Sequence, residues 1–165
     1  MKNNDVRLYN MIMPLWLIAV FLPQLWLIAL PANWLIDFLV LWLTMKVMKF
    51  ERPAASAVQI VWLTWVFGFA ADILGGLLMI APDFGMNISR DSVFYGITRV
   101  LYNPFYDIWS FLWTTFGVAV TAVLIFVYNR YIVLRKEDMT DVQKRKIALS
   151  LAVFTAPYLF YLPAM

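Results

Sequence analysis

The chain has 165 residues, of which 64% are hydrophobic and only 14% charged, and its mean hydropathy of +0.77 lies above that of water-soluble domains of this size. Five membrane helices of about 20 residues each would use about 100 residues, which leaves no room for a separate soluble catalytic domain. Neither His nor Cys occurs, so zinc sites of the Cys/His type, thiol or imidazole nucleophiles, disulfides and the usual switch near neutral pH are excluded, and no cofactor is expected.

Charge-free gaps mark the apolar spans: no charged residue lies between Arg7 and Asp37, between Arg52 and Asp72, between Asp107 and Arg130, or after Lys146. Each gap is long enough to cross a bilayer. The sequence therefore predicts an all-α integral membrane protein, a single polytopic domain with spans at residues 10–30, 34–50, 54–81, 104–134 and 140–161. In the first span Pro14 and Pro23 each remove a backbone hydrogen bond and Gln24 sits beside the second gap, so a kink or break is expected near Pro23. Asn103 followed by Pro104 reads as an N-cap and first helical residue, which starts the fourth span there. Thr140 to Gln143 reads as a capping box, which starts the last helix ahead of Lys144, Arg145 and Lys146.

Residues 82–103 form the one connection with room for structure. Val93, Phe94, Ile97, Val100 and Leu101 recur at helical spacing, with Arg90, Asp91 and Arg99 off that stripe. A short amphipathic helix in the outer interface is the favoured reading, over an irregular loop or a sixth membrane segment.

Orientation follows from Lys and Arg. With the N-terminus cytoplasmic and the C-terminus extracytoplasmic, eleven of the 13 basic residues fall inside and only Arg90 and Arg99 outside. The pI of about 9.2 is then a topology signal with affinity for anionic lipid in the cell membrane, and nucleic acid is not an expected partner.

A charge at the centre of a membrane helix costs roughly 2.5–3.5 kcal/mol on insertion scales, so the intramembrane carboxyls are the candidate functional groups. Asp72 lies deepest and shares a helical face with Gly68, Gly75 and Gly76, a small-residue face that another helix can approach closely. Asp37 and Asp107 each follow an Asn by four residues, near an expected helix start where the macrodipole favours a carboxylate. Under the five-span topology Gln24, Asp37, Asp72 and Asp107 all fall in outer halves, which predicts an acidic pocket opening outward with Arg99 at its mouth. No catalytic or metal-ligating set accompanies them. Pro82-Asp83-Phe84-Gly85 contains the letters of a kinase metal-binding motif but lacks the rest of that machinery, and reads as a turn.

The stretch Gly68-Phe69-Ala70-Ala71-Asp72-Ile73-Leu74-Gly75-Gly76-Leu77-Leu78 resembles the small-residue, Asp and Gly helix of the vitamin-binding S components of ECF importers and of MreD-type cell-shape proteins. The resemblance covers eleven residues and implies a compact helical domain that works with partner proteins. It departs from the S components in having five predicted spans against their six.

Three functions compete. The leading one is a small transport or ligand-binding membrane protein whose acidic pocket takes a cation, a proton or a small cationic solute, acting as a homo-oligomer or with a partner membrane protein. The second is a non-catalytic scaffold or accessory subunit of a membrane complex. The third is an intramembrane enzyme built on Asp37 and Asp72 as a carboxyl dyad.

Overall fold

A computed structural model describes residues 23–85 and 92–163, and every regular element in them is helical. Helix α1 is Pro23–Val47, α2 is Pro53–Gly85, α3 is Ile108–Tyr131 and α4 is Asp141–Phe154. Three stretches, Trp26–Val47, Pro53–Pro82 and Ile108–Lys136, are long and apolar enough to cross a membrane. Their outward faces fit that reading, with Leu27, Leu35, Leu43, Trp62, Ile73, Leu77, Phe116 and Val123 all exposed.

Where the sequence suggests a boundary between residues 30 and 34, α1 runs unbroken through Pro31 for 25 residues, or about 37 Å. The proline removes one N–H and the helix absorbs that loss, as apolar helices packed on neighbours do. Most of the first expected span, and the break expected at Pro23, lie outside or at the edge of the described residues.

The connector after α1 turns tightly. Lys49 takes a left-handed φ of 58°, while Phe50 N donates to Met45 O and Lys49 N to Lys46 O, each at 3.1 Å. This pair of bonds is a Schellman cap with a lysine in the place that glycine usually fills. The helices α1 and α2 then run antiparallel, with Trp34 against Trp62 and Trp26 against Phe69.

The packing of α2 on α3 is set by small residues. A Cβ on Gly75 would collide with Thr121 Oγ1, and one on Gly117 would lie 2.7 Å from Met79 Sδ. The crossing rests on Gly75; its neighbour Gly76 is only half-buried. The buried face of α3 carries Ser110, Thr114, Gly117 and Thr121. Thr114 and Thr121 hydroxyls donate back to Ser110 O and Gly117 O, each at 2.9 Å, so these polar groups are satisfied within their own helix.

Helix α3 starts four residues later than expected, at Ile108 with Asp107 as its cap, because Asn103 Oδ1 accepts from Phe105 N at 2.9 Å in a turn instead of capping a helix. The expected amphipathic segment is a seven-residue 3-10 helix, Val93–Arg99, capped by Ser92. At about 2 Å per residue it spans about 14 Å and is too short for a sixth crossing. The Thr140 capping box forms as expected, with Gln143 N donating to Thr140 Oγ1 and Thr140 N to Gln143 Oε1.

Helix α4 ends at Phe154 after 14 residues, about 21 Å, and not at residue 161. Pro157 lacks the N–H that would reach Val153 O, and the Tyr158 hydroxyl donates to that carbonyl at 2.6 Å instead. The chain then continues beside α3 through a short 3-10 turn, Tyr158–Tyr161, where Tyr161 donates to Thr115 Oγ1 at 2.9 Å and packs on Phe105 and Phe111. The last segment thus runs alongside the bundle as a broken helix.

Two apolar clusters form the core. One unites Leu41, Met45, Ile60, Val61, Ile125, Leu134, Ile147 and Leu151 toward the Lys- and Arg-rich connectors. The other unites Met79, Val100, Val118, Ala156 and Phe160 toward the opposite end.

Candidate functional site

A polar layer lies where those two clusters meet. Asp37 comes from α1 about halfway along Trp26–Val47, roughly 15 Å from either end. Its carboxyl is 3% exposed. Position 68 of α2 is glycine, and a Cβ there would sit 3.8 Å from Asp37 Oδ2, so the absence of a side chain makes room for the carboxyl. One helical turn further along α2, on the same face, stands Asp72, close enough to feel the charge of Asp37. Thr155, the C-cap of α4 at the break, donates its hydroxyl back to Leu151 O at 2.8 Å.

These groups are short of partners. Among the described residues Asp37 Oδ2 and Asp72 Oδ1 are buried and accept no hydrogen bond, and neither is the Thr64 hydroxyl paired, one turn below Gly68 on α2 and 1% exposed. Buried polar atoms of native proteins are seldom left so, because each unmade bond costs about 1–3 kcal/mol. No cation answers the two carboxyls: among the described residues the ion pair formed is Arg130 with Asp141 at 2.8 Å, on the rim of the basic end.

Of the five residues singled out from sequence, Asp37 and Asp72 come together and the other three stand elsewhere. Asp107 accepts from Ser110 N at 2.7 Å and from Ser110 Oγ at 2.9 Å, capping α3. It also packs against Gly96, where any side chain would collide with it. Thr121, which faces Gly75, lies 14 residues further along α3, so Asp107 is about 21 Å from the depth of the pair. Gln24 is exposed on the first turn of α1, about 20 Å from Asp37 along the helix. Arg99 donates to the Tyr95 hydroxyl and lies over the Tyr95 and Tyr102 rings at 5.0 and 6.0 Å, an aromatic seat, and among the described residues it pairs with no carboxylate. A groove that does open between the 3-10 helix and α3 is lined by Phe94, Ile97, Trp109, Leu112, Trp113 and Phe116, and is apolar.

Sequence reasoning missed Thr64, whose buried hydroxyl nothing in the local pattern sets apart from the other helical threonines.

The chain matches no family model, and no curated protein or solved structure is significantly similar to it. The likeness of Gly68 to Leu78 to known membrane families therefore carries no assignment. Chemically, two neighbouring carboxyls with a spare hydroxyl oxygen at Thr64 and no basic partner among the described residues suit the holding of a proton or a hard cation. Among the described residues no group of three or more His, Cys, Asp and Glu side chains is gathered as a metal site would require.

Proposed function

We propose that this is a multi-pass protein of the cell membrane that binds or transports a proton or a small cation at the Asp37–Asp72 pair. The observation that carries the reading is that Asp37, buried about halfway along an apolar helix, turns its carboxyl to the Gly68 face of α2 that also carries Asp72, with no ion pair to either carboxyl among the described residues. Intramembrane ionisable groups mark ion and proton pathways in membrane proteins. Residues 23–163 make four crossings in this reading, α1, α2, α3 and the broken α4 segment. The basic connectors, with Lys46, Lys49, Arg52, Arg135, Lys136, Lys144, Arg145 and Lys146, face the cytoplasm, and the C-terminus lies outside. So small a chain works as a homo-oligomer or beside a partner membrane protein.

The same pair also favours a second reading, an intramembrane aspartyl hydrolase, in which two carboxyls share a proton. It stands second because a hydrolase must admit a peptide and a water to both carboxyls, and Asp37 is 3% exposed.

Reconstitution of the full chain in liposomes tests the first reading, with proton and sodium fluxes followed by a trapped pH-sensitive dye and by radioactive sodium. The wild type should carry a flux that Asp37→Asn or Asp72→Asn lowers at least tenfold, while Asp107→Asn, which keeps a competent cap, retains it. Undiminished flux in the double Asp37→Asn, Asp72→Asn variant would overturn the reading.

A further inference from the structure

Two further buried oxygens lie beside the carboxyl pair, toward the basic connectors. The Thr64 hydroxyl is 1% exposed and Asn129 is 0% exposed, and among the described residues neither Thr64 Oγ1 nor Asn129 Oδ1 has a hydrogen-bond partner. Thr114, Thr115 and Thr121 each return the hydroxyl to the carbonyl four residues back in their own helix, at 2.9, 2.8 and 2.9 Å, and Thr64 does not. The Asn129 amide nitrogen donates to Ile125 O at 2.9 Å, which uses one end of that amide and leaves the other without a donor.

Helix register brings both groups to the site. Thr64 stands one turn from Gly68 on the face that also carries Asp72. Helices α2 and α3 run antiparallel with Gly75 against Thr121 and Met79 against Gly117, a register that puts Asn129 opposite position 67, and the Phe67 and Tyr128 rings meet there at 5.5 Å. Asn129 therefore enters the interior within one residue of the level of Gly68, where Asp37 Oδ2 arrives. Along α2 the oxygens of Asp72, Asp37 and Thr64 follow one another at roughly 6 Å, one helical turn, over about 12 Å.

That spacing decides between a metal cation and a proton. Ca2+ gathers about six to eight oxygens at 2.3–2.6 Å from one point, and oxygens strung over two turns of helix cannot converge so. A water between two oxygens bridges nearly one turn, with two hydrogen bonds of about 2.8 Å each. Gly68 leaves the room for one: outside its own stretch of helix, a Cβ there would touch Asp37 Oδ2 alone among the described residues, at 3.8 Å, and a methyl group and a water are of similar size.

We propose that the Asp37–Asp72 site takes a proton and passes it along a chain of buried waters held by Thr64 and Asn129. The proposal rests on the function proposed above and narrows its ligand to the proton. At each hop a carboxyl gives its proton to the bridging water, which gives another of its protons to the next carboxylate or water; one O–H bond forms for each that breaks, and one proton is carried. Thr64 accepts and donates through its single O–H, while Asn129 Oδ1 holds a water in place. Past Thr64 come Ile60 of α2 and Met45 of α1, both buried, which close the chain toward the basic end until they part.

Proton uptake by liposomes holding the purified full chain tests this, with a trapped pH-sensitive dye, a membrane potential set by potassium and valinomycin, and sodium present or absent. The wild type should carry protons at a rate that sodium does not change. Thr64→Val, which keeps the shape and removes the hydroxyl, and Asn129→Leu should each lower that rate at least tenfold, Thr64→Ser should restore it, and Gly68→Ala, which fills the place of the water, should lower it as well; each variant must elute as the wild type does on size exclusion. If Asp37→Asn abolishes proton flux while Thr64→Val and Asn129→Leu keep the wild-type rate, the water chain is wrong and the carboxyl-pair reading stands. Uptake of radioactive sodium in place of protons would overturn the proton and leave the pair. A wild type that carries neither ion would overturn the proposal, and undiminished proton flux in the double Asp37→Asn, Asp72→Asn variant would remove the carboxyl-pair reading along with it.

Discussion

Replacing Gly75 by Ala tests the packing that holds α2 against α3. The added Cβ would collide with Thr121 Oγ1 and lie 3.3 Å from Phe160 Cε2, so both the α3 contact and the broken end of the last segment must shift. Overpacking of this kind costs about 1–3 kcal/mol. Alanine returns up to about 1 kcal/mol of helix propensity relative to glycine, so a net loss of about 1–2 kcal/mol is expected. In a chain of this size that corresponds to a fall in Tm of roughly 3–6 °C. Two companions isolate the cause. Gly76→Ala, at a half-buried neighbouring position, gains the propensity without the collision and should be neutral or stabilising. Thr121→Ala removes the colliding oxygen, so the double variant Gly75→Ala, Thr121→Ala should recover most of the loss, a coupling above the ~0.5 kcal/mol scatter of independent sites. The assay is thermal unfolding in detergent followed by the fluorescence of the eight tryptophans. A Gly75→Ala variant that melts with the wild type, or as Gly76→Ala does, would refute a close crossing at Gly75.

Three further outcomes are expected in the same assay. Lys49→Gly should raise stability by about 1 kcal/mol, because the left-handed C′ position penalises a side chain; a loss would show that the cap is not a Schellman turn. Asp107→Ala should cost about 1–2 kcal/mol through the lost cap of α3, with Asp107→Asn close to wild type; equal losses in both would point to a need for the charge. Tyr158→Phe should cost about 1–2 kcal/mol because Val153 O then has neither the N–H that Pro157 lacks nor the hydroxyl; an unchanged Tm would mean that another donor takes its place.

The helical class and the capping box at Thr140 were legible in the sequence, because each is set by local composition or by spacing on one helix. What remained hidden depends on contacts between helices. Residues 30–34 read as a boundary because Pro31 and Asn33 are strong local breakers, yet the apolar packing of α1 on α2 carries the helix through them. Asp37 consequently sits in mid-helix, where the dipole at a helix start gives it no support. Asp107 is the reverse case: expected one turn inside a helix capped by Asn103, it is itself the cap, and its expected share in a pocket with Asp72 required knowledge of depth along α3. Azimuth was equally invisible, since nothing in a sequence says that Gly68 faces Asp37 across the α1–α2 contact. The broken end of α4 was half legible, for Pro157 forbids a continuous helix, but the return of Tyr161 onto Thr115 of α3 joins positions 46 residues apart in the chain.

The central claim, that Asp37 and Asp72 form one site, is tested most directly by a double-mutant cycle on unfolding free energy with Asp37→Asn, Asp72→Asn and the pair. Two carboxyls this close, with no counter-charge among the described residues, should be coupled, with the double variant departing from the sum of the singles by at least about 1 kcal/mol. Effects that add within about 0.5 kcal/mol would show two independent carboxyls and contradict the account.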